Sequence, residues 1–390
     1  MRKLALFAIF FLLTCSGQKK QKTLEFWQFW TDPKAKPVIS KLVADYEQNN
    51  PGWKINVTDL TWADGHQKIV VSFGANSPPD LLELGSDWIA EFAAAGALAK
   101  LKSDTNGILA VGPGIIAGQI YALPWFVDSR VLYINKSLLE KAGALHPSDW
   151  NSLFAACRKI SSPDANTFGF GANSNEPHRL YKKFLPFVWS AGGDIIFDGR
   201  VNLETPELMR ALNFYADICK CGIIESQKNL EDAFCDGKIG FVISGGWLLK
   251  RLKDHPPGFE YELALIPPET RGGQSVSFAG GEYLAIAAKT PNREAARKLL
   301  DFMIERDNSR LLCDSVGFGF PPYASQEIKS AGQKILFEQL GQSRFTPVHS
   351  RWVYIEKIIE TMIESVMLGE LSPVEAVAAA QRQINELVEN

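Results

Sequence analysis

The chain has 390 residues, of which 46% are hydrophobic and 22% are charged, and its formal net charge is −3 at pH 7. This is the composition of an ordinary globular protein, and the length exceeds what one compact core supports, so two domains are expected. No basic stripe runs along the sequence, which argues against nucleic acid as a partner.

The N-terminus has the layout of an export signal. Arg2 and Lys3 precede a short apolar run over residues 4–13, and crossing a bilayer takes roughly 20 apolar residues. The segment Leu12-Leu13-Thr14-Cys15 resembles a bacterial lipobox, with Thr14 where a smaller residue is usual. We expect residues 1–22 to be a signal peptide and tether, with lipidation at Cys15. The alternative is a cleaved signal in which Cys15 is incidental.

Strands and helices alternate through the first hundred residues. Apolar side chains recur with period two in the predicted strands, which cover residues 23–30, 53–57 and 81–84. Polar caps and a 3.6-residue period mark the predicted helices, which run from Asp32-Pro33 to residue 49, from 63 to 73, and from Asp87 as cap to residue 96. This alternation is typical of a parallel α/β sheet.

A second α/β unit is predicted from about residue 130 onward. The further strands are predicted over residues 118–124, 131–134, 239–243 and 283–287. The further helices are predicted over residues 136–142, 148–160 and 205–219, after Trp247, over 290–304, and as two C-terminal helices separated by Gly369. The chain is therefore predicted to contain two α/β units.

Cysteine spacing does not indicate a metal site. Apart from Cys15 there are five cysteines, at positions 157, 219, 221, 235 and 313, and no histidine lies near them at a zinc-type spacing. Cys235 could form a disulfide with Cys219 or Cys221 in an exported protein, or all could be small buried residues. The odd count leaves at least one free thiol. No cofactor is predicted.

The stretch Glu25-Phe26-Trp27-Gln28-Phe29-Trp30 ends the first predicted strand. Ligands of open α/β sheets bind beyond the carboxyl ends of strands, so part of this stretch should line a binding cleft. Strand alternation places Trp27 and Phe29 on one face, and Phe26 and Trp30 on the other. The ten tryptophans of the chain are an excess, and flat aromatic faces suit the apolar faces of sugar rings. We therefore name Trp27 a candidate ligand residue, with core packing as the alternative.

Five motifs follow one another in an order that resembles one protein family. They are PDLLELGSDW, GQIYALPWFVDSRVLYINKSLLEKAG, FCDGKIGFVISGGW, SFAGGEYLAIAAKTPNREAARKLLDFMI and GELSPVEAVAAAQRQINELV. Together they resemble the extracellular solute-binding proteins of ABC sugar importers, a group that includes the maltose- and glycerol-phosphate-diester-binding proteins. The resemblance covers nearly all of the chain after Thr23.

The resemblance implies a two-lobed periplasmic-binding-protein fold with the ligand in the cleft between the lobes. It places hinge crossings near residues 125–129, 278–282 and 334–344. The implied N-terminal lobe comprises residues 23–126 plus 283–335, and the C-terminal lobe residues 127–282 plus 336–390. The implied protein is a monomer in the periplasm or at the cell surface, which captures a sugar or oligosaccharide and delivers it to the permease subunits of an ABC importer.

The resemblance also implies a set of ligand-binding residues. Asp87 and Asp128 match acidic residues that accept from sugar hydroxyls, and carboxylates suit adjacent hydroxyls. The glycines around Gly246 and Gly281 would let the backbone approach a ligand. The full implied set is Asp87, Trp88, Trp125, Asp128, Gly246, Trp247, Gly281, Glu282, Trp352 and Glu356. Glu356 stands where some relatives have arginine, which argues against strongly anionic ligands, although Arg351 could compensate.

For several of these residues a structural role is the alternative. Asp87 could be a plain N-cap, Asp128 an exposed hinge charge and Trp247 a core residue, and the glycines near Gly281 could serve a β-bulge.

The rival class is a secreted glycosidase, which needs two acids flanking one bond. Asp87, Asp128 and Glu282 could serve in that way. No nucleophile-elbow, zincin or Walker A sequence is present, and the family implied by the motifs binds without reaction. We therefore expect no catalytic activity. A glycerol-phosphate-type solute is the alternative ligand.

Overall fold

The computed structural model describes residues 21–325 and 327–389, so Cys15 and its predicted lipidation lie outside the described residues. Within that part of the chain there are fifteen strands: β1 Lys22–Gln28, β2 Trp53–Asp59, β3 Leu81–Gly85, β4 Ile115–Ile116, β5 Gln119–Ile120, β6 Ala122–Ser129, β7 Val131–Asn135, β8 Phe168–Asn173, β9 Ile196–Phe197, β10 Arg200–Val201, β11 Gly222–Glu225, β12 Ile239–Ser244, β13 Tyr261–Ala264, β14 Ser277–Ile286 and β15 Ser343–Arg344.

The same part of the chain contains fourteen α-helices: α1 Ala35–Asn49, α2 Gly65–Gly74, α3 Ile89–Ala94, α4 Lys136–Lys141, α5 Trp150–Ile160, α6 Leu180–Ser190, α7 Pro206–Cys219, α8 Gln227–Cys235, α9 Gly246–Asp254, α10 Arg293–Ile304, α11 Arg306–Val316, α12 Ala331–Gly341, α13 Trp352–Met367 and α14 Pro373–Glu389. The predicted caps at Thr205 and Ser372 are confirmed. The Thr205 hydroxyl accepts from the Leu208 N–H at the start of α7. The predicted cap by Asp87 is wrong, because α3 begins after Trp88 without a side-chain cap.

The first sheet has the strand order β15-β14-β3-β1-β2, with β6 pairing to β14 as well. Strands β1, β2 and β3 are parallel, as predicted, so their carboxyl ends share one edge. The long strand β14 runs antiparallel to both β3 and β6. Its pairing with β6 shifts register between Glu282 and Tyr283, and such an irregularity re-aims the neighbouring side chains.

The second sheet has the order β11-β8-β12-β7-β13. Strands β11, β8 and β12 are parallel, whereas β7 runs antiparallel to both β12 and β13. Strand β7 follows β6 after a single residue, Arg130, so the chain passes directly from one sheet to the other there. The chain returns between β13 and β14, and passes over again between β15 and α13, which packs against the second sheet's core.

Apolar clusters cover both faces of each sheet. On the first sheet, Phe26 and Trp30 belong to the cluster beneath α1 and α10, whereas Phe29 lies in the cluster beneath α2 and α3, with Trp27 packed against it. The predicted alternation of this stretch is therefore confirmed. The molecule has the predicted fold class, two α/β lobes, each with its own core. The exact lobe boundaries stay a prediction.

Two further observations bear on location and redox state. All five cysteines between residues 157 and 313 are free thiols, so neither alternative disulfide is formed. Among the helices of residues 21–325 and 327–389, none is both long enough and apolar enough to cross a bilayer.

Candidate functional site

The carboxyl ends of β1, β2 and β3 carry polar and aromatic side chains that face the second lobe. Asp87 follows β3, and its Oδ2 lies 3.0 Å from the Lys182 ammonium of α6. Lys34, just before α1, lies 3.1 Å from Asp254 at the end of α9. These two ion pairs join the lobes across the boundary between them, the cleft.

Asp87 is 5% exposed and ionised. Burial opposes ionisation, but the charges of Lys182 and His178 outweigh it and hold the pKa of Asp87 below its ordinary value. At this end of the cleft the His178 ring also hydrogen-bonds Glu356 Oε1, and its Nδ1 lies 4.0 Å from Asp87 Oδ2. The structure therefore brings together Asp87 and Glu356, two of the predicted residues.

Asp128, near the end of β6, occupies the other end of the cleft. Its Oδ2 accepts from the backbone N–H of Gly246 at 2.9 Å, so two more predicted residues meet directly. Its Oδ1 is buried and has no partner among the described residues. Burial raises the pKa of Asp128 to about 6, although Arg130 and the Gly246 N–H oppose that rise. This oxygen is therefore a buried acceptor without a donor.

Arg130 lies between two aromatic rings at this end. Its guanidinium carbon is 5.3 Å from the Trp247 ring centroid and 5.1 Å from that of Phe278, which are cation–π distances. Its Nε and Nη1 are buried and have no hydrogen-bond partner in the described part of the chain. Arg130 thus offers unused donors beside the unused acceptor of Asp128.

Trp247 is half-buried and held in one orientation. Its indole N–H donates to Glu231 Oε1 at 2.5 Å, and Glu231 also accepts from Ser244 Oγ at 3.0 Å. A Cβ on Gly245 would lie 2.1 Å from the Trp247 ring, so only glycine leaves room for that ring position. A tryptophan fixed in this way is a preformed stacking face.

Glu282 lies between the two ends, beside the register shift of β14. Its Oε2 is buried without a partner among the described residues. Burial raises the pKa of Glu282 to about 8, with a further contribution from Asp128, while Arg130 and Lys182 oppose it. Glu282 is therefore largely protonated near neutral pH, and a protonated carboxyl can donate as well as accept hydrogen bonds.

Gly281 has a structural explanation. A Cβ there would lie 2.7 Å from the Phe126 carbonyl oxygen of the paired strand β6, so the close approach of β6 and β14 requires glycine. At Gly280 a Cβ would lie 2.9 Å from Arg130 Nη1. The geometry favours the strand-pairing alternative for Gly281 over ligand contact.

Three predicted tryptophans, Trp88, Trp125 and Trp352, are enclosed in apolar clusters, and a fourth, Trp27, is half-buried. Trp125 is 0% exposed and packs edge-on against Phe26, 6.3 Å away, in the first core. Trp352 is 1% exposed and packs 5.3 Å from Tyr181 in the second core. Trp88, also 1% exposed, lies behind Trp62, and Trp27 packs against the apolar cluster below α2. We correct Trp88, Trp125 and Trp352 to packing residues, since neighbouring side chains enclose them.

Sequence reasoning missed Trp62, Arg130, Lys182 and Glu231. Trp62 is 43% exposed, and its ring stacks on Phe29 at 4.3 Å with an interplanar angle of 21°. It comes shortly after β2, so the rule that ligands meet the carboxyl ends of strands could have found it. No comparable sequence pattern pointed to Arg130 or Lys182 as site residues. Surface cavities of about 300 and 380 Å³ also exist, but the residues that line them lie outside the cleft.

The comparisons agree with this architecture. A family model described as bacterial extracellular solute-binding protein matches residues 31–309. The chain is 26% identical over 362 residues to a putative binding protein of Brucella abortus, covering 87% of each chain. It is 25% identical over 377 residues to the galactooligosaccharide-binding protein of Bacillus subtilis, covering 90% of this chain and 86% of that one. A solved ABC transporter solute-binding protein from Thermotoga lettingae, bound with α-D-tagatose, superimposes with a TM-score of 0.80 at 25% identity, covering 94% of this chain and 99% of that one.

Proposed function

The chain belongs to the bacterial extracellular solute-binding protein family, and from this premise we propose that it captures a sugar or oligosaccharide for an ABC importer. The lobes close on the sugar by hinge motion and present it to the membrane permease. The observation that carries the proposal is the unpaired polar set at one end of the cleft, Asp128 Oδ1, Arg130 and Glu282 Oε2, beside the oriented ring of Trp247.

This set has the chemistry of sugar recognition. Carboxylates accept from hydroxyls, and guanidinium and protonated carboxyl groups donate to hydroxyl and ring oxygens. Trp247 and the exposed ring of Trp62 supply apolar faces for the CH-rich faces of a pyranose. The proposed ligand residues are therefore Trp62, Asp87, Asp128, Arg130, Trp247 and Glu282, with Glu356 behind Asp87. The sugars bound by the Bacillus and Thermotoga relatives support the same ligand class.

The remaining parts of the proposal concern organisation. The proposed lobes comprise residues 23–126 plus 283–335 and residues 127–282 plus 336–390, and the link at Arg130 between β6 and β7 lies four residues after the first of these boundaries. As a member of an extracellular family the protein acts outside the cytoplasm. Cys15 anchors it to the membrane through a lipid, and it works as a monomer.

The test is a thermal-shift and tryptophan-fluorescence titration of the full chain against neutral sugars, oligosaccharides and polyols, followed by chromatography of the recovered ligand. We expect saturable stabilisation by at least one sugar and recovery of that sugar intact. Trp247→Ala should weaken binding at least about thirtyfold, which corresponds to roughly 2 kcal/mol. The matched control is Trp53→Ala, a half-buried tryptophan at the opposite end of β2, which should leave the affinity unchanged.

Other outcomes would replace parts of the proposal. Cleavage of the sugar would indicate a glycosidase, with Asp128 and Glu282 as its acids. A response to glycerol-phosphate-type compounds alone would keep the capture role and change the ligand class.

A further inference from the structure

Three side chains with metal-binding chemistry gather at the Asp87 end of the cleft. One oxygen each of Asp87 and Glu356 and one ring nitrogen of His178 all lie within 4.8 Å of one another. Within residues 21–325 and 327–389 no other group of three such residues comes this close. One imidazole nitrogen with two carboxylate oxygens is a donor set of the zinc type, with bonds of about 2.0–2.2 Å. Small movements of these three side chains, together with withdrawal of Lys182 from Asp87, would bring all three donors onto one ion.

A second observation points to a missing ligand at this cluster. Glu356 is 1% exposed, and its Oε2 is buried without a hydrogen-bond partner in the described part of the chain. Its other oxygen is engaged by His178. A buried carboxylate oxygen without a donor is costly, and a bound cation would remove that cost.

Helix α13 holds the histidine in place through two further carboxylates. Glu360 Oε1 accepts the backbone N–H groups of Arg179 at 2.9 Å and Tyr181 at 3.3 Å. One turn on, Glu364 Oε1 accepts from the Asn175 N–H at 2.9 Å. His178 itself has a left-handed φ of 65°, a conformation uncommon outside glycine that its surroundings must maintain. Such outer-shell support fixes the direction of a metal-ligating imidazole.

Charge balance is consistent with a dication. The carboxyl groups of Asp87 and Glu356 face the imidazole of His178 and the Lys182 ammonium, which lies 3.0 Å from Asp87 Oδ2. One divalent ion could supply the same positive charge from a single point. Lys182 would have to leave Asp87, and its long, flexible side chain permits this. The rings of Tyr181 and Phe278 also lie 5.4 and 5.7 Å from its Nζ.

We propose that Asp87, His178 and Glu356 bind one divalent ion of the zinc class. Asp87 comes from the first sheet's edge, whereas His178 and Glu356 come from the loop before α6 and from α13. The ion therefore ties the two lobes together across the cleft. A fourth coordination position remains for water or for a ligand oxygen. The proposal goes beyond solute capture and does not depend on which solute binds.

The experiment uses the tag-free full chain, stripped with EDTA, dialysed and titrated with zinc chloride by isothermal titration calorimetry. We expect one ion per chain with a Kd in the micromolar range or below. His178→Ala and Glu356→Gln should each weaken binding at least tenfold. The control is His146→Ala, since His146 is half-exposed and lies 3.3 Å from Glu262 outside the cleft, and it should keep the parental affinity.

Lys182→Met distinguishes this site from damage to the fold. Removal of the competing ammonium should tighten zinc binding about tenfold, a gain that misfolding cannot produce. No binding by the parent, or binding that survives His178→Ala as an adventitious surface ion, overturns the proposal. If His178→Ala does not fold, Lys182→Met decides alone, and an affinity equal to or below the parental value overturns the proposal. Sugar titrations in EDTA then test solute capture separately.

Discussion

Trp125 and Trp247 look equivalent in the sequence, but the structure assigns them to different regions. Each belongs to a motif from which a ligand-binding tryptophan is predicted. Trp125 is 0% exposed in the core of the first lobe, and its indole N–H has no partner among the described residues. Trp247 is half-buried at the cleft, and its N–H donates to Glu231. Trp125 fills volume in the core without a hydrogen bond, whereas a hydrogen bond from its indole N–H fixes the orientation of Trp247 at the cleft.

The largest expected effect is a loss of stability on removal of Trp125 from the core. Trp125→Ala removes a fully buried side chain and leaves a cavity, so we expect a loss of about 3–5 kcal/mol in the free energy of unfolding. Sugar affinity, measured at a temperature where the variant stays folded, should change less than twofold. Chemical denaturation and fluorescence titration check the two parts. A large loss of sugar affinity in the folded variant would show that Trp125 takes part in ligand binding.

The next effect tests the hydrogen bond that orients Trp247. Glu231→Ala removes the acceptor of its indole N–H without touching the proposed sugar position, so the ring loses its fixed orientation. We expect about a tenfold loss of sugar affinity, equivalent to roughly 1.4 kcal/mol. Lys228→Ala is the control, because Lys228 lies on the same helix and its exposed ammonium pairs with Asp232 at the surface. Equal affinities in both variants would show that the Glu231 contact has no part in binding.

A smaller effect is the dependence of stability on pH that the protonated carboxyl group of Glu282 produces. The folded-state pKa of Glu282 is about 8 against an ordinary value of 4.5, so between these pH values the folded chain binds more protons than the unfolded chain. Stability from this group therefore falls as pH rises through that window. Glu282→Gln cannot ionise, so at pH 9 its Tm should exceed that of the parent by at least a few degrees.

At pH 5 we expect Glu282→Gln and its parent to melt within about a degree of each other. The control is the exposed Glu204→Gln, which should follow the parent at both pH values. Melting curves that differ equally at pH 5 and pH 9 would contradict the assigned protonation.

The smallest effect concerns the exposed ion pair between the lobes, Lys34–Asp254. Surface pairs contribute at most about 1 kcal/mol and are screened by salt. Lys34→Ser should weaken sugar binding less than about threefold at low salt, and not at all at high salt. Lys41→Ser is the matched control, since its partner Asp45 lies on the same helix. A salt-independent loss in Lys34→Ser would mean that Lys34 contacts the ligand itself.

The fold was predictable because its determinants are local. Apolar alternation in Phe26 to Trp30 separated the two faces of β1, and Thr205-Pro206 marked the start of α7. The motif order then predicted the two lobes. Local signals failed at Asp87, whose short polar side chain matched an N-cap but instead pairs with Lys182 of the other lobe.

The site was predicted less completely because its contacts join distant parts of the chain. Asp128 meets Gly246 and His178 meets Glu356 across 118 and 178 residues. The spacing of apolar residues along the sequence gives no information on contacts between residues so far apart. Arg130 is a single residue between two strands, and only the fold reveals that it lies between the rings of Trp247 and Phe278.

The carboxylates of α13 affect the order in which the molecule folds during its synthesis and export. Glu356, Glu360 and Glu364 hold the loop over residues 175–181, yet they follow that loop by about 180 positions. The loop therefore cannot take its final form until α13 has emerged and docked. An exported chain threads through the membrane from its N-terminus, so both sheets can pair while one wall of the cleft is still unformed. Recognition of the solute is then among the last properties that the maturing molecule acquires.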